Sequence, residues 1–192
     1  AIFGSSVVQI NLLINTLIAS FLAVGSISWL YISDRFVELP LAIFGVATAT
    51  IILPRLSRQY VNQSTTGFNQ TLEWALKLSI VIALPSTIGL ILLAKPILTS
   101  LIQYREFTVL DTNMASLSLM TYALGLPAFI LIKVLAPGFY SRQDTKTPVK
   151  IGVIAMLCNI VLNLAFLWLW TKLKLPGPHA ALALATSITA YL

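Results

Sequence analysis

The sequence is short of charge. Only 9% of its 192 residues are Asp, Glu, Lys or Arg, against about 25% in a soluble domain. Hydrophobic residues make up 58%, and the mean hydropathy is +0.91. Too little polar surface remains to coat a water-exposed globule, so the composition describes an integral membrane protein. Runs of Lys or Arg are also missing. The net charge of +6 is spread along the chain, and nucleic acid is excluded as a partner for want of a basic stripe.

Cysteine and histidine are nearly absent. Cys158 stands alone in IAMLCNIVLNLAF, so no internal disulfide forms and no Cys/His cluster suggests a metal. It reads as a small buried apolar residue. His179, in LPGPHAAL, is the single histidine. No Ser-His-Asp set can be built from it, and no aspartate-rich diphosphate–magnesium motif appears. Enzyme readings are poor and no cofactor is implied. A cleavable signal peptide is missing too, since Ala1 opens in apolar text without a Met or a basic region. The far end, ALALATSITAYL, stops while still apolar. Both ends suggest a piece of a longer polytopic protein.

What the chain does have is long apolar runs. A hydrocarbon core of about 30 Å needs roughly 17–25 helical residues. That ruler predicts spans near 2–24, 27–53, 72–102, 112–141 and 147–170, with an incomplete one over 178–192. Barrel strands would alternate in segments of about ten residues, which these runs do not do. The expected architecture is all-α, one transmembrane helical lobe over 1–192. The second span has a rival reading: a helix starting at Pro40, after a polar turn over Ser33–Glu38. Trp29 and Tyr31 suit a membrane interface and favour the start near Ile27.

Lysine and arginine are unevenly placed between the two sides. Arg55, Arg58, Lys77, Arg142, Lys146 and Lys150 fall on one side, and Lys95, Arg105, Lys172 and Lys174 on the other. The richer side is expected to be cytoplasmic. Pro40, Pro54, Pro85, Pro96, Pro127 and Pro137 fall within or at the ends of spans, where proline kinks a helix and frees carbonyls. LPRLSRQ (53–59) and APGFYSRQ (136–143) echo one another and hint at repeated helix pairs.

The candidate chemistry lies in the second run, WLYISDRFVELPLAIFGVATATIILPRL. Charge inside hydrocarbon is expensive and marks function or pairing. Asp34 and Glu38 are i and i+4 on a helix, and Arg35 is i to i+3 from Glu38. Continuing their face leads through Leu41, Gly45, Thr48 and Ile52, which directs the acids toward protein or a cavity. An arginine held by carboxylates keeps its fork in place and can grip phosphate with its free donors. The plainer reading is an ion pair joining two helices. Lys133, in GLPAFILIKVLAPGFY, is a second intramembrane cation. It stands about 13 Å by helical rise from Arg142, and either snorkels to headgroups or lines the same cavity as Arg35. Asn11 with Asn15, and Asn159 with Asn163, are i, i+4 pairs. They suit interhelical hydrogen bonding or ligation of a monovalent cation.

SDRFVELPLAIFGVATATIILPRLS and KVLAPGFYSRQDTKTPVKIG resemble segments of the MurJ (MviN) lipid II flippase family of the MOP exporter superfamily. The second string is especially specific. The resemblance runs through essentially the whole chain and corresponds to the seventh to about the twelfth of the family's fourteen helices. It implies a C-terminal MOP/MATE-like lobe that works with an N-terminal lobe of the same chain. It also implies translocation of lipid II, an undecaprenyl-diphosphate-linked precursor of peptidoglycan, across the bacterial cytoplasmic (inner) membrane. Alternating access around a cationic cavity is the family's mechanism. By that resemblance Arg35 lines the cavity, with Asp34 and Glu38 in the same cluster; membrane lipids are the other partners. Two alternatives stand beside it: an exporter of drugs or other polyprenyl-linked glycans, and a non-transporting scaffold for cell-wall enzymes.

Overall fold

The computed structural model describes residues 2–174 and 176–192, with side chains from Gln9 onward apart from Leu175. Seven helices and no strand occur among the described residues: α1 (Ile2–Ser20), α2 (Ser26–Val61), α3 (Thr65–Leu101), α4 (Val109–Ala123), α5 (Leu126–Tyr140), α6 (Lys146–Lys172) and α7 (His179–Thr189). Helices α2, α3 and α6 are each long and apolar enough to cross a membrane, and α4 with α5 makes a fourth crossing if the bent pair is one span.

The bundle is turned inside out relative to a soluble protein. Small residues fill its interior, among them Ala75, Ala83, Ala115, Ala123 and Ala181. Large apolar side chains face outward, as in the α6 stripe Ile154, Leu157, Val161, Leu164 and Trp168. Lipid tails are as apolar as leucine, so close backbone approach rather than leucine burial holds such helices together.

Helix α3 packs against α5, α4 and the second half of α2, while the first half of α2 lies on α4. Helix α7 bridges α4 and α6, and α6 carries α1. One core gathers Trp29, Val37, Ala83, Leu119 and Ile130; a second joins Ile52, Leu56, Phe68 and Val134.

Two helices outrun their hydropathy. Helix α2 continues to Val61, past the expected end at 53, and α3 begins at Thr65 rather than near 72. Their 36 and 37 residues make rods of about 54 and 56 Å, well beyond a hydrocarbon core of about 30 Å. Hydropathy marks where a helix leaves the apolar layer, and the buried Leu56, Phe68 and Thr71 keep the polar turns helical beyond it. The expected loop thus shrinks to Asn62–Ser64.

Of the six prolines singled out above, two coincide with a change of helix geometry. Directly after Pro40, residues Leu41–Val46 form a π turn. Proline donates no amide hydrogen and crowds the carbonyl four residues back, here that of Phe36, so the ladder is also interrupted just before this turn. The other change is a 44° bend between α4 and α5, so the expected continuous span over 112–141 is two pieces. Near Pro127 the Gly125 amide bonds Tyr122 O rather than Thr121 O, and Ser187 from α7 donates to the freed Thr121 carbonyl at 2.7 Å. A neighbouring hydroxyl satisfies what the break exposes. Pro54, Pro85, Pro96 and Pro137 lie within unbroken helix.

Candidate functional site

The Asp34–Arg35–Glu38 cluster is helical. Helix α2 starts at Ser26, after Gly25 with φ of +100°. A Cβ at that glycine would stand 2.7 Å from the Trp29 ring. Asp34 therefore lies eight residues into the helix, about 12 Å along it, and the reading with a polar turn before Pro40 is set aside.

The helix face differs from expectation. Ser33 and Val37 are buried, and so are Gly45, Thr48 and Ile52 further along. Asp34, Arg35 and Glu38 are exposed. In an unbroken α-helix Gly45 would fall under Asp34. The π turn in effect inserts one residue, which brings Gly45 under Ser33 and Val37 instead. The small and polar strip is real, but it continues the Ser33 face and not the acidic one.

Arg35 is held by two groups. Its Nη1 donates to Glu38 Oε2 at 2.6 Å, and its guanidinium carbon lies 4.8 Å from the centre of the Tyr31 ring. Asp34 is not an ion-pair partner: adjacent helical residues point in different directions, and Arg35 pairs with Glu38 alone among the described carboxylates. The pair lies within one helix, with side chains 56% and 50% exposed, so it joins no second helix. Tyr31, for which the sequence suggests a membrane interface, is exposed and forms the platform for the arginine, one turn before it. Trp29, expected there too, is buried. Its indole donates to Asp111 Oδ1 at 2.9 Å and its ring lies 4.8 Å from that of His179, which satisfies the one polar atom that burial would strand.

These residues border an open groove of about 460 Å³. Tyr31, Arg35 and Glu38 line it together with Ile32, Phe36 and Ile102, and the surface they turn toward it is almost wholly apolar. Ile102, just past the end of α3, comes from a distant part of the chain, and no local pattern announces it. Such walls suit hydrocarbon, and the guanidinium on the same helix is half exposed, open to an anion beside them.

Lys133 is placed elsewhere. Its stem packs beside Gly45, where an added Cβ would lie 3.5 Å from Lys133 Cβ and Cγ. Ten residues of helix, about 15 Å, separate that level from Arg35. Lys133 does not border the Arg35 groove.

The asparagine pairs meet through Asn15 and Asn163, while Asn11 Oδ1 is buried without a hydrogen-bond partner among the described residues. Asn163 Nδ2 donates to Asn15 Oδ1 at 2.6 Å and to Asn159 Oδ1 at 3.1 Å, and Asn159 Nδ2 lies 3.4 Å from Thr186 Oγ1. Three helices are joined by amides. His179 is fully buried, with Nε2 3.0 Å from Met114 O, and acts as a structural bridge between α7 and α4.

Outside the spans, Asp144 opens α6. Its Oδ1 accepts from the Lys146 and Thr147 amides, and its Oδ2 from the Thr147 hydroxyl at 2.6 Å. The Thr147 hydroxyl, with those amides and the nearby Lys150 charge, holds its carboxyl below the ordinary value of 3.8.

A helical bundle with small residues inside, large apolar ones outside and an apolar groove beside an intrahelical ion pair is a polytopic membrane protein. Residues 1–192 match the family model described as lipid II flippase MurJ. A probable lipid II flippase MurJ of Vibrio cholerae is 52% identical over the whole chain, which covers 35% of that protein. The lipid II flippase MurJ of Burkholderia cenocepacia is 40% identical, again over the whole chain and 36% of the relative. A solved lipid II flippase MurJ in an inward closed conformation superposes with a TM-score of 0.85 at 34% identity, over 98% of this chain and 38% of that one. The chain belongs to the lipid II flippase MurJ family. It spans little more than a third of the length of these relatives.

Proposed function

We propose that this chain forms one lobe of a lipid II flippase of the bacterial cytoplasmic membrane, and that Arg35 grips the diphosphate of the translocated lipid. The work is transport and makes or breaks no covalent bond. The second lobe of the same polypeptide closes the groove from the opposite side, and alternating access carries the polar head across.

The observation behind this reading is Arg35 itself. A guanidinium amid apolar helices is costly unless used, and this one is half exposed on a groove, supported but not covered. Glu38 takes one of its five N–H donors, which leaves the others for a phosphate fork. Glu38 also competes for the same charge, so binding stays reversible. Asp34 adds negative potential without touching the guanidinium, and Lys133 meets a different part of the polar head, about 15 Å away along α2.

The test is Arg35→Ala in the full-length protein, with lipid II transfer measured across the membrane of intact cells at matched protein abundance. Transfer is expected to be lost, and Arg35→Lys to restore only part of it, since a point charge lacks the fork. Wild-type transfer by the alanine variant overturns the assignment.

A further inference from the structure

The turn between α2 and α3 holds a second, separate pocket, of about 270 Å³. Arg55, Gln59, Gln70, Thr71 and Trp74 surround it, with Gly67 as part of its floor. We propose that this pocket binds the phosphate headgroup of an anionic membrane phospholipid.

Position comes first. Helices α2 and α3 are about 54 and 56 Å long, so their shared end stands clear of a hydrocarbon core of about 30 Å. Along α2 the apolar run stops at Leu53, and Arg55 follows two residues later. Trp74, on the α3 side of the pocket, is 53% exposed, as suits an indole at headgroup level. The pocket therefore sits where lipid phosphates lie.

Charge agrees. Arg142 stacks over Phe68, with its guanidinium carbon 4.4 Å from the ring centre, which brings the start of α6 to the same end of the bundle. Arg55, Arg58, Lys77, Arg142, Lys146 and Lys150 gather there against Glu73 and Asp144. Glu73 is engaged by Lys77 at 2.6 Å. Among the described residues Arg55 has no carboxylate within ion-pair distance. Basic pockets between helices on a Lys/Arg-rich face are suited to anionic headgroups.

The pocket is also built. Thr71 is 5% exposed and its hydroxyl accepts from Gln59 Nε2 at 2.9 Å, which orients the amide and leaves the threonine proton to donate. A Cβ at Gly67 would lie 2.9 Å from Ser64 Oγ and 3.3 Å from Gln59 Nε2, so a larger residue would press on that arrangement. One guanidinium, a hydroxyl donor and the Gln70 amide can converge on phosphate oxygens, with Trp74 against the glycerol and first methylenes.

The experiment is native mass spectrometry of the full-length protein, titrated with phosphatidylglycerol or phosphatidylcholine, with and without excess inorganic phosphate. Wild type is expected to retain phosphatidylglycerol in preference to phosphatidylcholine. Arg55→Gln should weaken that retention about tenfold, the worth of one charged hydrogen bond. Thr71→Val, which changes no charge, should weaken it as well, while Arg58→Gln in the same turn but outside the pocket should not. The proposal is overturned if Arg55→Gln retains phosphatidylglycerol like wild type, or if Arg58→Gln weakens it as much. Displacement by inorganic phosphate would assign the site to a free anion and overturn the lipid assignment. None of these outcomes depends on Arg35 or on lipid II transfer.

Discussion

Arg35 and Glu38 stand one turn apart on α2, joined at 2.6 Å, and each keeps about half of its side chain open. An exposed pair of this kind adds little to stability, because water screens it and two long side chains must be held in one geometry. Its removal should therefore be felt in transport and hardly in folding.

Glu38→Gln and Tyr31→Leu test that separation. Both loosen the guanidinium, one by removing its acceptor and the other its aromatic platform. Lipid II transfer by the full-length variants should fall several-fold. Thermal midpoints in detergent should stay close to wild type. A large drop in midpoint would show that the pair is structural after all.

Asn163 is the hub of the amide cluster, fully buried and bonded to Asn15 and Asn159. Asn163→Ala should destabilise the full-length protein by about 1–2 kcal/mol, the scale of interhelical hydrogen bonds in membranes. Denaturant unfolding in detergent reads this directly.

Gly125 leaves no room for a side chain. An added Cβ would lie 2.7 Å from Ser187 Oγ and 2.8 Å from Ser187 Cα, and one of those atoms is backbone. Gly125→Ala should cost about 1–3 kcal/mol through overpacking and push α7 off the α4–α5 bend. A lowered unfolding midpoint, with faster amide exchange in α7, is the expected result.

Asp144 predicts a pH effect at the start of α6. Its folded pKa is depressed by the Thr147 hydroxyl and the amides it caps. The cap is therefore complete above the ordinary carboxylate value and is lost as pH falls through the lower folded value. Protection of the Lys146 and Thr147 amides should exceed that in Asp144→Ala at neutral pH, and the two proteins should converge in strong acid.

Much of this was legible in the chain. The scarcity of charge and the length of the apolar runs name a helical membrane protein, because hydrocarbon leaves the backbone no other partner but itself. The Asp34–Arg35–Glu38 spacing marks the pair that forms, since i and i+3 meet on any helix. Helix ends were less legible: α2 and α3 pass from apolar into polar text without unwinding, and their stability there comes from contacts such as Leu56 with Phe68 in one core.

By itself, then, the sequence determined the membrane class, the helical architecture and the spacing of the Arg35–Glu38 pair. Tertiary structure decided which way those charges face. A π turn after Pro40 rotates the rest of α2 relative to Asp34, and Ile102 arrives from the end of α3 to wall the groove. Local spacing carries neither, because phase slips and long-range walls depend on the helices that pack alongside.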